Sequence, residues 1–406
     1  MNDRIGRAPP SLKGKGMSDL HTTISSALLL ILPYAQMTIV IIFINQKMIN
    51  MKKPILLIFL ALFFYNGFSQ NPCKDQSWIL VPEKSDEFSG ASLNASKWYK
   101  LDTSFQWGVE EYSSDYAIVG VKAGEPLTKD GYLTLLTKKV GSVYYTGGIK
   151  SNVTNATAHG YGYFEIKARI PKGKGFWTAF WLNASNGSLS NPPYWFDEID
   201  ILEPSGCTSL NANVNVTGWW DEYKSSASDQ KKKYGETVQT NLPDLSISDH
   251  KFAVEWLPNR IIFYFDDQPF ASFYNRQTVP SHPMHIYINQ EIGPIDNAFL
   301  DSQYANLFPD PVCLPDASTD ISLPQCFSID YFRYYQLKMD CNTVVNQSNV
   351  DFTTFNYAVK KSITIGNSTI PQNSNVTLRA TDFIQLNGGF TLPLGSELNI
   401  VPTPCF

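Results

Sequence analysis

The segment Trp195-Phe196-Asp197-Glu198-Ile199-Asp200-Ile201-Leu202-Glu203 places acids at spacings that matter on a β-strand. Side chains alternate along a strand, so Glu198 and Asp200 share one face. Glu203 lies an odd number of positions from Glu198 and falls on the opposite face, unless one extra residue is bulged at Ile201-Leu202. A row of three carboxylates repels itself, and it is expected where chemistry requires it. The chemistry that fits is cleavage of a glycosidic bond, in which two carboxyl groups ~5–5.5 Å apart act as nucleophile and proton donor. With the bulge the two glutamates stand ~13 Å apart at Cα, at ~3.3 Å per residue, so both ends need long side chains leaning together. Asp200 between them can hydrogen-bond the nucleophile and tune the pair. The alternative is a solvated acidic face on an edge strand. The flanking Ile199, Ile201, Leu202, Trp195 and Phe196 argue against it.

The elements that must hold these acids are strands. From residue 78 to about 338 the chain alternates apolar and polar positions in short bursts separated by turn residues. Phe164, Ile166, Ala168 and Ile170 face one way while Glu165, Lys167 and Arg169 face the other. Phe252–Leu257, Ile261–Phe265 and Phe270–Tyr274 read as three strands joined by tight turns at Pro258-Asn259 and Asp266-Asp267. Tyr132–Thr137 and Ile329–Tyr335 are further strands. No long window carries a 3.6-residue apolar period. Many short strands over ~260 residues predict a large antiparallel sandwich.

At this level the sequence resembles glycoside hydrolase family 16, in the bulged Glu-x-Asp-x-x-Glu form of its motif. Other segments fit the family in the same order. They are Asp86-Glu87-Phe88-Ser89-Gly90, Tyr161–Pro171, Gly175–Leu182, His250–Trp256 and Ile329–Tyr335. The resemblance spans roughly residues 78–338. It implies an all-β jelly-roll sandwich of two antiparallel sheets, with a cleft for a polysaccharide. It also implies Glu198 as nucleophile, Glu203 as general acid/base and Asp200 as helper, in a retaining mechanism. No cofactor is needed for that chemistry. A structural calcium is implied, and Asp330 sits at the matching position; a plain surface carboxylate is the alternative.

Sugars present flat apolar faces, so their clefts need aromatic platforms and hydrogen-bonding groups. Trp177 and Trp181 are four apart in an expected strand and share a face, where the resemblance puts subsite walls; ordinary core is the alternative for each. Trp107 and Trp195 are further substrate-binding candidates, and Trp256 reads as core. Trp219-Trp220 are expected in a loop beyond the acidic strand, rimming the cleft. His285, Tyr287 and Asn289 alternate toward one face, with Asn289 toward the cleft. The expected activity is endo-hydrolysis of a β-1,3- or β-1,4-linked polysaccharide, a laminarin-like β-glucan first and an algal galactan such as agar or carrageenan second. The competing readings are a non-catalytic glycan-binding protein on the same scaffold, and a transglycosylase using the same residues.

Charge and cysteines bound the setting. The chain has 406 residues and a formal net charge of −5, with 43% hydrophobic and 17% charged positions, which excludes wholesale disorder. Residues 1–70 hold seven Lys/Arg against two Asp/Glu, leaving a net charge of −10 on the remainder. So acidic a body argues against nucleic acid or an anionic membrane as a partner. It also disfavours a heavily sulfated substrate, unless basic loops such as Lys231-Lys232-Lys233 line the cleft. Met51-Lys52-Lys53, the apolar run Pro54–Tyr65 and the small residues before Gln70 read as a signal peptide over residues 51–70. Residues 1–50 read as an upstream extension of the reading frame or as a membrane segment. The expected product is a secreted, cell-surface or periplasmic monomer with no stable membrane partner after signal cleavage. Its six cysteines are all downstream of residue 70, an even count that reads as disulfides. Cys313 with Cys326 and Cys341 with Cys405 are the pairings considered among fifteen connectivities.

The hydrolase-like domain is therefore expected over residues 71–339, and a small C-terminal β module over residues 340–406. The module's brief strands end in Gly or Asn, in the manner of a small solenoid. It resembles the three-coathanger stack modules of exported bacterial proteins, and a spacer, glycan-binding or oligomerisation role stays open for it.

Overall fold

In the computed structural model the described residues are 75–105, 110–154, 158–172, 176–188, 191–205, 213–220, 238–241, 243–273, 279–292 and 323–406. The expected signal peptide and the upstream segment lie outside them. The described residues are all-β, with two short 3-10 turns at Pro82–Lys84 and Ser114–Tyr116. Asp340–Thr403 form one compact unit, and the described residues up to Met339, with Pro404–Phe406, form the other.

The larger unit is a sandwich of two sheets. One has ten described strands, with His250–Leu257, Gly162–Arg169 and Gln325–Leu337 at its centre. The other has eight described strands. It runs from Pro204–Ser205 and Asn213–Trp220 through Asn191–Leu202, Phe176–Ser188 and His285–Ile292 to Gly148–Ser151 and Trp98–Lys100. Neighbouring strands are antiparallel, except where Glu110–Tyr112 pairs in parallel with Val143–Thr146 at the edge of the first sheet. The alternation expected from sequence sets the layers. Phe164, Ile166, Ala168 and Ile170 of the first sheet share a buried cluster with Phe180, Leu182, Ile199, Ile286 and Ile288 of the second. Trp256 is fully buried in that cluster, as expected, with its ring N–H donated to the Pro280 carbonyl at 2.9 Å.

Local signals hold at the turns. Asp266 and Asp267 both adopt positive φ, 45° and 66°. That is the two-residue turn whose twist suits the hairpin between Arg260–Phe265 and Gln268–Phe273. One polar position departs from the simple inside–outside pattern. Glu165 is fully buried, with the Tyr331 hydroxyl donating to it at 2.6 Å and that of Tyr163 at 3.3 Å.

The C-terminal unit has its own core, including Ile363, Ile365, Val376, Leu378, Ile384 and Phe390. Val359–Gly366, Asn375–Leu386 and Glu397–Pro402 pair in parallel, so the chain stacks side by side, solenoid-like. Asn367, Asn373, Gly389 and Gly395 take positive φ between them, which is why Asn and Gly close these strands. Cys341 and Cys405 are disulfide-bonded. Cys326 corrects the pairing expected with Cys313: it is a free thiol, 3.3 Å from the Ser328 hydroxyl, and Cys313 lies outside the described residues.

Candidate active site

The acidic segment forms the end of Asn191–Leu202, between Phe176–Ser188 and Asn213–Trp220. Glu198 stands opposite Asn183 on one side and Trp219 on the other; Asp200 stands opposite Trp181 and Thr217. Trp219 and Trp220 are thus paired strand residues rather than part of a loop, a correction that follows from their ladder with Glu198 and Asp197.

Beyond Asp200 the register slips. Asp200 pairs with Trp181, but Leu202 pairs with Phe180, so two steps on one strand face one on the other. This is a β-bulge. Its consequence is visible in burial: Ile199, Ile201 and Leu202 are all in the core, at 2% exposure or less. With two successive residues turned inward, Glu203 returns to the face of Glu198 and Asp200. There its carboxylate accepts the ring N–H of Trp177 at 2.8 Å. Asn183 donates its amide to Glu198 at 3.4 Å.

The same face continues across the sheet. Trp177 and Trp181 alternate with the core residues Thr178, Phe180 and Leu182 and are half-buried on the acid-bearing face. The Trp181 indole stacks on Tyr287, with centroids 4.4 Å apart and planes 20° apart, and Phe105 stacks on Tyr287 at 5.7 Å. The Trp181 ring N–H donates to Asn289 Oδ1 at 2.7 Å. Asn289 faces the expected way but is fully buried, so it fixes the orientation of Trp181 rather than lining an open surface. Its amide donates in turn to Glu291 at 2.7 Å and to the Tyr112 hydroxyl at 3.1 Å.

Glu291 was not singled out from the sequence. It stands opposite Trp177, and its Oε2 is a buried oxygen without a hydrogen-bond partner. Burial, then the nearby Glu110 charge, and to a lesser degree that of Glu203, push its carboxyl well above the usual range. Burial, then the charges of Glu291 and Glu110, raise the Tyr112 phenol as well. Asp197 was missed too. It is buried behind the acid face, where His282 donates a backbone N–H at 3.3 Å and its ring nitrogen lies at 2.8 Å. Burial raises its carboxyl, and the His282 contacts act against that. The available signal was its place on the core side of the alternation, where an acid must find a partner.

The remaining sequence candidates separate. Trp107 and Lys231-Lys232-Lys233 lie outside the described residues. Trp195 is placed by its backbone alone, opposite Asn186. Asp330 is the extra residue of another bulge, between Ile329 and Tyr331 on Gln325–Leu337. Its carboxylate accepts the Lys167 ammonium at 2.7 Å. The described residues contain no group of three or more His, Cys, Asp or Glu fit to hold a metal. A carboxylate already held by a lysine does not suit the all-oxygen coordination calcium needs.

Residues 114–297 match the family model for glycosyl hydrolases family 16. Over these residues the chain is similar to family 16 glycosyl hydrolases. It is 26% identical over 274 residues to the endo-1,3-1,4-beta-glycanase ExsH of Rhizobium meliloti (strain 1021), covering 66% of this chain and 48% of that protein. To the endo-1,3-1,4-beta-glycanase EglC of the same organism it is 30% identical over 242 residues, covering 53% of this chain and 47% of the relative. The chain thus spans about half the length of these relatives. The laminarinase from Flavobacterium sp. UMI-01 superposes with a TM-score of 0.46 at 22% identity, over 64% of this chain and all of that one. The matched stretch contains all three acids together with Trp177, Trp181 and Asn289.

Proposed function

We propose that the protein is an endo-acting, retaining glycoside hydrolase of a β-linked polysaccharide. The observation that carries this reading is the bulge after Asp200, which puts Glu198, Asp200 and Glu203 on one face beside two half-buried tryptophans. The family 16 match and the relatives named as β-glycanases support it. In the proposed course Glu203 protonates the leaving oxygen while Glu198 attacks the anomeric carbon and forms a glycosyl-enzyme. Water, deprotonated by the Glu203 carboxylate, then releases the sugar with retained configuration. Asn183 donates its amide to Glu198 and orients its carboxylate for attack, with Asp200 as the helper on the same face. Trp177 fixes the Glu203 carboxyl through its ring N–H.

A laminarin-like β-1,3-glucan is the first substrate to assay and an algal galactan the second. The signal-type segment at residues 51–70 and the disulfide-bonded Cys341 and Cys405 support a secreted or cell-surface setting. The test is incubation of the protein with a panel of β-glucans and galactans, followed by sizing of the products and assignment of their initial anomeric form. Internal cleavage with retention is expected, and Glu198→Gln should lower the rate by at least about a thousandfold with an unchanged melting temperature. A fully active Glu198→Gln enzyme refutes the assignment. Binding without cleavage of any chain favours the non-catalytic reading, and transfer to sugar acceptors in place of release favours transglycosylation.

A further inference from the structure

The row of side chains that begins at Asp200 runs on past the aromatic stack. In register across the sheet stand Asp200, Trp181, Tyr287, Lys150 and Tyr99. Their strand neighbours Leu182, Ile286, Ile149 and Trp98 all belong to the core, so this row lies on the acid-bearing face. Lys150 is half-buried, with its ammonium 5.1 Å from the centre of the Tyr287 ring. At ~4.8 Å per strand, three spacings separate it from Asp200, about 14 Å across the face.

What sets Lys150 apart is its counter-charge. On the opposite sheet the half-buried Lys138, Lys167 and Lys251 each hold a carboxylate, from Glu125, Asp330 and Asp267. Among the described residues Lys150 meets no carboxylate, and its one interaction there besides the long-range effect on His285 is with the Tyr287 face. A half-buried ammonium gains most from a partner that brings both charge and hydrogen-bond acceptors. A chain of sugars stacked beside Trp181 supplies such a partner if one unit is acidic.

We propose that Lys150 forms a subsite for an anionic substituent, a sulfate ester or a carboxylate, on the polysaccharide bound across this face. The inference rests on the hydrolase reading above and narrows its substrate class. The ammonium donates to the substituent's oxygens, while Tyr287 keeps the lysine stem in place from below. The net charge of −10 downstream of residue 70 repels anionic chains at long range, but screening confines that effect to about 8–10 Å, and the subsite acts at contact. This leaves selection to the local cation.

The test compares the full chain with its Lys150→Met variant, which keeps the apolar stem and removes the charge. The substrates are porphyran, the same galactan after chemical desulfation, hyaluronan as a carboxylate-bearing chain, and neutral laminarin. A higher kcat/KM is expected on sulfated than on desulfated galactan, or on hyaluronan if the carboxylate is the cognate group. Lys150→Met should lower that preference about tenfold, chiefly through KM, and leave laminarin within about twofold. A preference unchanged in the variant, an equal loss on neutral and anionic chains, or wild-type cleavage of neutral chains alone overturns the proposal. If the wild type cleaves nothing, the hydrolase reading fails instead. Retardation of both proteins in gels containing sulfated or desulfated galactan then decides the subsite: a sulfate-dependent shift lost in Lys150→Met supports it, and equal mobility overturns it.

Discussion

Glu291 carries the largest electrostatic tension in the described site. Its side chain is buried beside the buried Glu110, and one of its oxygens has no partner. Two such carboxylates cannot both be ionised cheaply, so the folded protein holds the Glu291 proton to higher pH than the unfolded chain does. The unfolded chain releases it above about pH 4.3. Between that point and the raised folded-state value, the native state holds more protons than the unfolded state. Stability therefore falls as pH rises, by about 1.4 kcal/mol per pH unit for one such proton. Glu291→Gln mimics the neutral acid and removes the proton release. Denaturant unfolding at pH values rising from about 5 should show a shallower decline for the variant than for the wild type. Equal slopes would mean that the folded protein already ionises Glu291. The same residue stands behind the aromatic wall, since Asn289 donates to Glu291 and accepts the Trp181 ring N–H.

At the scale of the element, the decisive object is one extra residue in Asn191–Leu202. A strand has a period of two, so the one spare residue between Asp200 and Glu203 decides which face Glu203 takes. Deleting Ile201 would leave Glu198, Ile199, Asp200, Leu202 and Glu203 in strict alternation, so a regular strand would keep Leu202 in the core and Glu203 on the acid face. A folded variant that still cleaves is expected, less stable by about 2–5 kcal/mol because one buried aliphatic side chain is lost. Ile201→Val keeps the bulge and should cost only about 0.5–1.5 kcal/mol, with activity within a fewfold of wild type. Thermal unfolding and an activity assay on both variants check this. A folded deletion variant without any cleavage would show that the bulge does more than set the face of Glu203. The bulge was legible before the structure, because Glu-x-Asp-x-x-Glu makes sense on one face only if one residue is spare.

For the whole molecule, two separate cores stand behind two compact units. Units with their own cores tend to unfold as separate cooperative events. Calorimetry should resolve two transitions. Ile365→Ala, in the core of the C-terminal unit, removes buried methyl groups worth about 2–5 kcal/mol and should lower one transition while the other stays within a degree or two. A single transition that moves as a whole would show that the units unfold together.

The sequence by itself determined the all-β class, the strands that alternate, the turn at Asp266-Asp267 and the acids of the motif, because each follows from local period, φ preference or spacing. It identified Trp177, Trp181 and Asn289 as members of one face, and it placed Trp256 in the core. Only the tertiary structure decided what those residues touch. Glu110 and Glu291 are 181 positions apart in the chain, and Asp197 and His282 are 85 apart. No local pattern pairs them; the two sheets and their loops do. The same holds for Cys326, whose sequence context suggested a bond that the fold does not make. Lys150 shows the division most plainly. In the sequence it is one lysine among many, and it gains its meaning only when strand register sets it in line with Tyr287, Trp181 and Asp200. Period and spacing are properties of neighbours along the chain, whereas charge complementarity depends on neighbours in space.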